Sequence, residues 1–305
     1  MTSEIKSAYL APEGLTEPLL KELGGVIAIH DRLVLSSKPF SEAHWAQNIW
    51  KNPVVLSVDS INDAAKQLKS IQRNWCLYSF TLHRRAKLIE EKLNSSKKEP
   101  VPFPTTLPAQ PLGSWCLLDE NTILASAECS SPFPNGEAHF VEDKTGPPNR
   151  AYLKLYEALT LAKKTPQPEE FCMDVGGSPG GWAWVIQKCG AEVLSIDRSP
   201  LDPAISNLKG VSFQKRDAFS LLPAEFEEEG KSVDWLFSDV ICYPDKLYDW
   251  LSVWIDSEIC KNFVCTIKFK GEPESGIIKK FAAIPNSQVI HLFHNKNELT
   301  FFKLD

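Results

Sequence analysis

The chain has 305 residues, of which 43% are hydrophobic and 24% are charged, and its formal net charge at pH 7 is −6. That length allows one large domain or two modest ones, and the composition is that of an ordinary soluble protein. No apolar run approaches the roughly 18–20 residues needed to cross a bilayer, and Met1 to Leu10 lacks the apolar segment of a secretory signal. We therefore expect a cytoplasmic protein without membrane partners. The acidic balance argues against a chain wrapped in nucleic acid but is compatible with a local basic face.

In the first half of the chain, short apolar and β-branched runs alternate with helical patterns and predict an α+β domain. We predict strands at residues 8–10, 26–35, 54–58 and 75–80, helices at 15–23 and 61–71, and a hairpin over 114–127 that turns at 119–121. Nine of the 22 prolines lie between Pro100 and Pro148, where regular structure should be sparse. We place the domain boundary near Gly146, which gives an accessory domain of residues 1–145 and a second domain of residues 146–305.

The second half alternates strands and helices more regularly and predicts an α/β fold with a doubly wound, mostly parallel sheet. The seven predicted strands are residues 171–175, 192–196, 211–214, 233–237, 262–267, 288–293 and 298–303, with helices at 151–162, 182–188 and 246–257. Only residues 294–297 join the last two strands. This short link predicts a C-terminal antiparallel hairpin, and hence one antiparallel strand in an otherwise parallel sheet.

A glycine-rich loop follows the first strand of this sheet, in the run Asp174-Val175-Gly176-Gly177-Ser178-Pro179-Gly180-Gly181-Trp182. Glycines allow a ligand to approach the backbone closely and permit positive φ angles. The spacing differs from the Gly-x-Gly-x-x-Gly of dinucleotide-binding loops, and no Lys-Ser/Thr follows as in phosphate-binding loops. The loop therefore predicts a small-molecule site at the carboxyl end of the strand.

Acidic residues follow four consecutive strands, at Asp174, Asp197, Asp217 and Asp239. Asp197 could accept both ribose hydroxyls of an adenosine group, and Asp217 could accept its adenine amino group, with Ala218 or Phe219 lining the base pocket. Each aspartate alone could also be a solvated strand-end cap. The regular recurrence of the set favours an adenosine-containing ligand.

These residues resemble those of FtsJ-type (RrmJ-like) ribose 2′-O-methyltransferases, most closely the RlmM-type branch that modifies a cytidine in 23S rRNA. The resemblance covers about residues 146–305 and includes the glycine loop, Asn149 to Leu155, Ser238-Asp239, Ile267-Lys268 and Glu298. It implies a Rossmann-like methyltransferase sheet, S-adenosylmethionine as cofactor and RNA, but no DNA, as partner. The cofactor residues it implies are Asn149, Asp174, Gly176, Ser178, Pro179, Gly180, Gly181, Trp182, Asp197, Asp217 and Asp239.

The resemblance further implies a catalytic tetrad of Lys154, Asp239, Lys268 and Glu298. Attack by a ribose hydroxyl needs a group that removes its proton, and a lysine can do so once its pKa falls toward neutrality. Two lysines near each other would lower each other's pKa by repulsion, and partial burial would add to this effect, whereas Asp239 would oppose it. We expect Lys268 to be the general base and Asp239 to orient it. Lys154 and Glu298 would position the ribose. The alternative for Lys268 is a solvated strand-end lysine, as we expect for Lys270.

The accessory half carries nine Lys/Arg residues between Lys66 and Lys98, against Glu90 and Glu91. The aromatic residues among them are Trp75, Tyr78, Phe80 and His83. Such a mixture is typical of RNA contact through phosphates and stacked bases. The alternative is a solvated helix face over residues 82–93 with the aromatic rings in a core. The resemblance to RlmM-type enzymes implies a ferredoxin-like part followed by a THUMP-type RNA-binding part in this half of the chain. This half is shorter than that arrangement needs.

Two other functions stay open at this point. A base-directed methyltransferase is one, but amino-directed enzymes carry an Asp/Asn-Pro-Pro-Tyr-like run where this chain has Asp239-Val240-Ile241-Cys242. A carbon-directed enzyme would need a nucleophilic cysteine, for which Cys242 is suitably placed. The other alternative is an inactive RNA-binding module that retains the methyltransferase fold. The eight cysteines show no zinc-site spacing, so we predict no metal.

Overall fold

The computed structural model describes residues 4–93 and 99–305. Lys97 and Lys98, from the basic stretch, and Met1 to Ser3 lie outside these residues. The chain divides into two compact units, the first comprising Met1–Val101 and Leu107–His139 and the second Pro102–Thr106 and Phe140–Asp305. The contacts thus divide the chain a few residues before Gly146, and Pro102–Thr106 belongs to the second unit. In the described part of the chain, no helix combines the length and apolar character needed to span a membrane.

The described residues of the first unit, 4–93, 99–101 and 107–139, form nine strands and three helices. The strands are β1 Ser7–Leu10, β2 Val26–His30, β3 Leu33–Ser36, β4 Asn48–Lys51, β5 Val54–Ser57, β6 Trp75–Leu77, β7 Gly113–Asp119, β8 Thr122–Ser126 and β9 Glu128–Cys129. The helices are α1 Thr16–Glu22, α2 Ile61–Ile71 and α3 His83–Glu90. One sheet has the order β2-β3-β1-β4-β9 and the other β5-β8-β7-β6.

Strands β4 and β9 were not predicted from the sequence, and the strand predicted over residues 75–80 ends at Leu77. Two further features of this unit differ from the sequence prediction. Residues 26–35 form a hairpin instead of one strand, because the chain reverses at Asp31, whose φ is +56°. The rings of Trp75 and Tyr78 are buried, so they belong to the core and are not available for base stacking. Phe80 packs against the same core as Tyr78. The described basic side chains are mainly on the surface, where Lys66, Lys69, Arg84 and Lys87 are exposed.

The second unit is built on a seven-stranded sheet flanked by helices. Its strands are β10 Phe171–Val175, β11 Glu192–Asp197, β12 Val211–Lys215, β13 Val233–Ser238, β14 Cys260–Lys268, β15 Ser287–Ile290 and β16 Glu298–Lys303. Its helices are α4 Tyr152–Ala162, α5 Gly181–Lys188, α6 Pro203–Ser206, α7 Ala224–Glu228, α8 Pro244–Asp256 and α9 Ser275–Ala282. The strand order is β12-β11-β10-β13-β14-β16-β15. The first five strands are parallel, and β16 runs antiparallel to both of its neighbours.

The sequence missed α6, α7 and α9 and extended β15 too far. In α9, Ile277, Ile278 and Phe281 form a buried face, and this helix packs on β15. Strand β15 ends at Ile290, and the backbone that follows it makes hydrogen bonds with α4 instead of with β16. The backbone N–H groups of Phe293 and His294 donate to the buried carboxylate of Glu157 on α4, at 2.8 and 3.1 Å. The link to β16 is therefore residues 291–297, longer than predicted.

Candidate active site

A cleft of about 570 Å³ lies at the carboxyl ends of β10, β11, β13 and β14 and beside the turn after β12. The predicted site residues that line it are Asn149, Asp174, Gly176, Ser178, Gly181, Trp182, Asp197, Asp217, Asp239 and Lys268. Pro179 and Gly180 belong to the glycine loop but not to this lining. Lys154 and Glu298 are also outside the lining, and they are connected to the cleft through Asp239. The topology thus brings strand-end residues that are far apart in sequence to one edge of the sheet.

The glycine loop packs so closely on its surroundings that side chains are excluded at two positions. Gly176 has a φ of +78°, and a Cβ there would lie 2.7 Å from the Val240 side chain. A Cβ on Gly177 would lie 2.2 Å from Asp174 Oδ2. The loop is also tied to the next strand, because the Ser178 amide donates to Asp197 Oδ2 at 3.1 Å. The backbone of the loop therefore faces the cleft without obstruction.

Asp174, at the base of the cleft, is fully buried. Burial raises the pKa of Asp174 to about 7, and the nearby negative charge of Asp239 adds to the shift. Ser195 Oγ donates weakly to Asp174 Oδ2, at 3.5 Å. Within the described residues, Asp174 Oδ1 has no hydrogen-bond partner. A buried, unsatisfied carboxylate oxygen at the base of a cleft is a costly arrangement that a polar or cationic ligand would relieve.

The carboxylates of Asp197 and Asp217 differ in their surroundings. Asp197 accepts from the backbone amides of Ser178 and Ser199 on its two oxygens, which leaves lone pairs for ribose hydroxyls. Asp217 is paired with the Arg198 guanidinium and accepts from the Phe219 amide. The hydrogen bond from Arg198 lowers the pKa of Asp217 below its usual value. The group predicted to accept an adenine amine is thus already bound to a cation that the sequence did not indicate.

Lys154, Asp239, Lys268 and Glu298 form one ion cluster beside the cleft. Lys154 Nζ lies 2.5 Å from Glu298 Oε1 and 3.3 Å from Asp239 Oδ2. Lys268 Nζ lies 2.9 Å from Asp239 Oδ1 and donates to the Asp239 backbone carbonyl at 2.6 Å. All four side chains are at most one-fifth exposed. Lys268 and Asp239 face the cleft, whereas Lys154 and Glu298 support Asp239.

The two carboxylates decide the charge of Lys154. Burial lowers the pKa of Lys154, but the attraction of Asp239 and Glu298 outweighs burial, and the net shift is upward from the usual value. The expectation that the neighbouring lysines lower each other's pKa is therefore wrong for Lys154. The charged form of Lys154 is therefore favoured, and its ammonium lies between two carboxylates.

Trp182 and Asn149 hold the start of α4 against the glycine loop. The Trp182 ring is buried, and its Nε1 donates to the Ala151 carbonyl at 3.0 Å. Asn149 Oδ1 accepts from the Ala151 amide at 3.0 Å, and a Cβ on Gly181 would lie 2.5 Å from that oxygen. These contacts join the helix that carries Lys154 to the loop that lines the cleft.

Several residues of the cleft were not found by sequence reasoning. Lys246 Nζ lies over the Phe219 ring, 4.1 Å from its centroid, beside Asp217. At the rim, Tyr243 is 64% exposed, and Lys270 Nζ lies 5.0 Å from its ring centroid. Lys270 is exposed, as expected for a solvated lysine after a strand, and it also lines the cleft. The sequence signal that could have indicated Tyr243 is an aromatic residue four positions after the strand-end Asp239.

A doubly wound sheet with this loop and these strand-end carboxylates defines an α/β fold of the methyltransferase type. Residues 147–284 match the model of the FtsJ-like methyltransferase family. The prediction of an α/β methyltransferase-like fold is confirmed.

The curated relatives carry the name ribosomal RNA large subunit methyltransferase M. The one from Halorhodospira halophila is 30% identical over 51% of this chain and 46% of its own length. One from Xanthomonas oryzae pv. oryzae is 29% identical over 68% of this chain and 56% of its own length. The chain thus spans about half the length of these relatives. Among solved structures, the Methanococcus jannaschii fibrillarin pre-rRNA processing protein matches with a TM-score of 0.38 and 15% identity, over 62% of this chain and 80% of that one.

Proposed function

We propose that this protein transfers a methyl group from S-adenosylmethionine to the 2′-hydroxyl of a ribose in RNA, with a cytidine of 23S rRNA as the target. The observation that carries the proposal is the cluster of Lys154, Asp239, Lys268 and Glu298 at the edge of the cleft. The name shared by the curated relatives supports large-subunit ribosomal RNA as the substrate. A cytoplasmic location follows from that substrate.

The residues of the cleft fit S-adenosylmethionine. Asp197 would accept its ribose hydroxyls, and the backbone of Gly176 and Gly177 offers a surface on which no Cβ obstructs a ligand. Asp174 has a buried carboxylate oxygen without a partner among the described residues, and ionisation of this group favours a cationic ligand. When bound, the cofactor supplies an electrophilic methyl group on a positively charged sulfur.

The ion cluster gives each residue a distinct role in the proposed reaction. Lys268 Nζ, at the cleft, accepts the proton of the ribose hydroxyl, which requires the neutral amine at the moment of attack. Asp239 holds that amine in place through its carboxylate and its backbone carbonyl, and stabilises the ammonium that forms. Lys154 remains charged and neutralises Asp239 and Glu298, so the two carboxylates can lie close together.

The first unit would supply RNA affinity as the accessory domain proposed for residues 1–145. Its exposed basic side chains on α2 and α3, including Lys66, Lys69, Arg84 and Lys87, are suited to phosphate contacts. Because Trp75 and Tyr78 are buried, we propose contact with the RNA backbone here and no base stacking by these rings. This assignment resembles a THUMP-type role.

The geometry disfavours a carbon-directed base methyltransferase. Burial raises the pKa of the Cys242 thiol to about 11, so a nucleophilic thiolate is disfavoured near neutral pH. Replacing Cys242 with serine separates the two chemistries. A carbon-directed enzyme would lose all transfer, whereas ribose methylation does not use the thiol.

The test is methyl transfer by the full chain from tritiated S-adenosylmethionine to unmodified 23S rRNA, followed by nucleoside analysis of the digested RNA. The proposal predicts label in 2′-O-methylcytidine. Label in a methylated base would support the base-directed alternative. Cofactor binding without any transfer to naked or assembled rRNA would support an inactive RNA-binding module.

A further inference from the structure

We propose that Tyr243 and Lys270 form a stacking surface for an unpaired base of the RNA substrate, at the rim of the cleft beside Lys268. The inference rests on the proposed function and names the class of RNA that the site takes. Tyr243 and Lys270 belong neither to the ion cluster nor to the residues proposed to bind the cofactor.

The position of the pair follows from the strand order. The strand order β12-β11-β10-β13-β14 puts Asp217 and Asp197 at one side of the cleft and Asp239 and Lys268 at the other. Tyr243 lies in the turn between β13 and α8, and Lys270 lies two residues after the end of β14. Tyr243 and Lys270 therefore lie on the side of the cleft that carries Lys268, the proposed general base of the reaction.

The Tyr243 side chain is unusually exposed for an aromatic residue. Tyr243 is 64% exposed and its neighbour Ile241 is 76% exposed, although large apolar side chains gain by burial. Lys270 Nζ lies 5.0 Å from the Tyr243 ring centroid, and among the described residues it is not in an ion pair. The pair thus offers an open aromatic face and a cation that is available to a phosphate.

A second aromatic–lysine pair in the cleft provides a contrast. Phe219 is half-buried, packs edge-on against Trp250 and is covered by Lys246 at 4.1 Å. That pair lies beside Asp217, on the side proposed for the cofactor base. Phe219 follows β12, whereas Tyr243 follows β13 and Lys270 follows β14, so we assign the Phe219 ring to the cofactor and the Tyr243 ring to the RNA.

The chemistry of the pair restricts the RNA that fits. An aromatic side chain can stack only on a base whose face is free, and bases within a duplex are stacked on one another. A nucleotide held on Tyr243 is therefore in a loop, a bulge or a single strand. Lys270 would contact its phosphate, while the ribose of the same or the adjacent nucleotide reaches Lys268.

The test measures binding of the full chain to a fluorescein-labelled single-stranded RNA dodecamer that contains cytidines, by fluorescence anisotropy, with S-adenosylhomocysteine present. Tyr243→Ala should weaken binding about tenfold, because stacking of one base contributes on that order. Tyr243→Phe keeps the ring and should bind as the unchanged chain does. Lys270→Ala should weaken binding severalfold, whereas Lys280→Ala, an exposed lysine near the Tyr248 ring outside the cleft, should not.

Two results would overturn the inference. One is equal binding by Tyr243→Ala and the unchanged chain, and the other is binding of the annealed duplex as tightly as the single strand. Methyl transfer measured in parallel separates this inference from the proposed function. If transfer occurs but neither the Kd nor the KM for RNA responds to Tyr243→Ala, only the stacking surface fails. If the Kd responds but no RNA is ever methylated, only the proposed function fails.

Discussion

Lys268 lies directly opposite Glu298 in the antiparallel pairing of β14 with β16. The reversed direction of β16 is what makes this possible. Residues at the carboxyl ends of parallel strands share one edge of the sheet, and an antiparallel neighbour presents its first residue at that same edge. Lys154 then reaches from α4 to both Glu298 and Asp239, and the four charged groups meet.

Replacing Lys268 with alanine should lower the rate of methyl transfer about 1000-fold and leave the Kd for S-adenosylmethionine nearly unchanged, because only the proton acceptor is lost. A matched control lies on the same strand. Lys261 pairs with Asp234 at 2.9 Å, the same distance that separates Lys268 from Asp239, but outside the cleft. Lys261→Ala should therefore retain activity. Near-normal turnover by Lys268→Ala would exclude this lysine as the base.

Replacing Glu298 with glutamine should lower the pKa of Lys154, since Glu298 is one of the two charges that raise it. The change can be followed by NMR titration of ¹³C-labelled lysine side chains, with the Lys154 signal assigned by its loss in Lys154→Arg. We expect kcat to fall by about 10- to 100-fold, because Lys154, which holds Asp239, loses one of its two ion-pair partners. As a control, Glu225→Gln removes an ion pair with Arg216 outside the cluster and should leave the Lys154 signal in place. An unshifted Lys154 titration in Glu298→Gln would contradict the assigned geometry.

The glycine loop and the strand-end aspartates could be predicted from sequence because each depends on local features. A strand followed by Gly176-Gly177 specifies a tight turn, and Asp197 ends a recognisable apolar run. The pairing of Asp217 with Arg198 could not be predicted in this way, since it depends on how two loops approach each other. The same holds for Lys270 and Tyr243, which come from turns after different strands.

The electrostatic error about Lys154 has a similar cause. From sequence, the two lysines were the expected neighbours, and repulsion between them would lower a pKa. In the folded chain, two carboxylates lie closest to Lys154, and their attraction outweighs burial. The sign of such a shift depends on distances of a few ångströms between distant parts of the chain, and these are set by strand register.

Replacing Gly177 with alanine should destabilise the protein by about 1–3 kcal/mol and weaken cofactor binding at least tenfold. The added Cβ would lie 2.2 Å from Asp174 Oδ2 and 2.4 Å from Ser195 Oγ, both of which are buried. Gly276→Ala is the matched control, because a Cβ at this position of α9 meets nothing within 4 Å. It should be neutral or stabilise by up to about 1 kcal/mol. Urea denaturation and calorimetric titration with S-adenosylhomocysteine measure the two effects, and a fully stable, binding-competent Gly177→Ala would contradict the close packing of the loop.

Replacing Asp174 with asparagine should change how stability depends on pH. The pKa of Asp174 is about 7 in the folded chain and about 3.9 when unfolded, so the folded protein favours the neutral carboxyl. Its stabilising contribution is present below pH 4 and is lost as the pH rises toward 7. Asparagine cannot ionise.

The free energy of unfolding of Asp174→Asn minus that of the unchanged chain should therefore increase between pH 4 and pH 7, by up to about 4 kcal/mol, and then level off. Urea denaturation across this range measures the difference. In a series extended below pH 4, Asp234→Asn should show the opposite trend, because Lys261 and the Phe171 amide outweigh burial and lower the pKa of Asp234. For Asp234 the stabilising contribution is present above pH 4 and is lost as the pH falls below it. A flat difference for Asp174→Asn would mean that the pKa of this carboxyl is not raised in the folded protein.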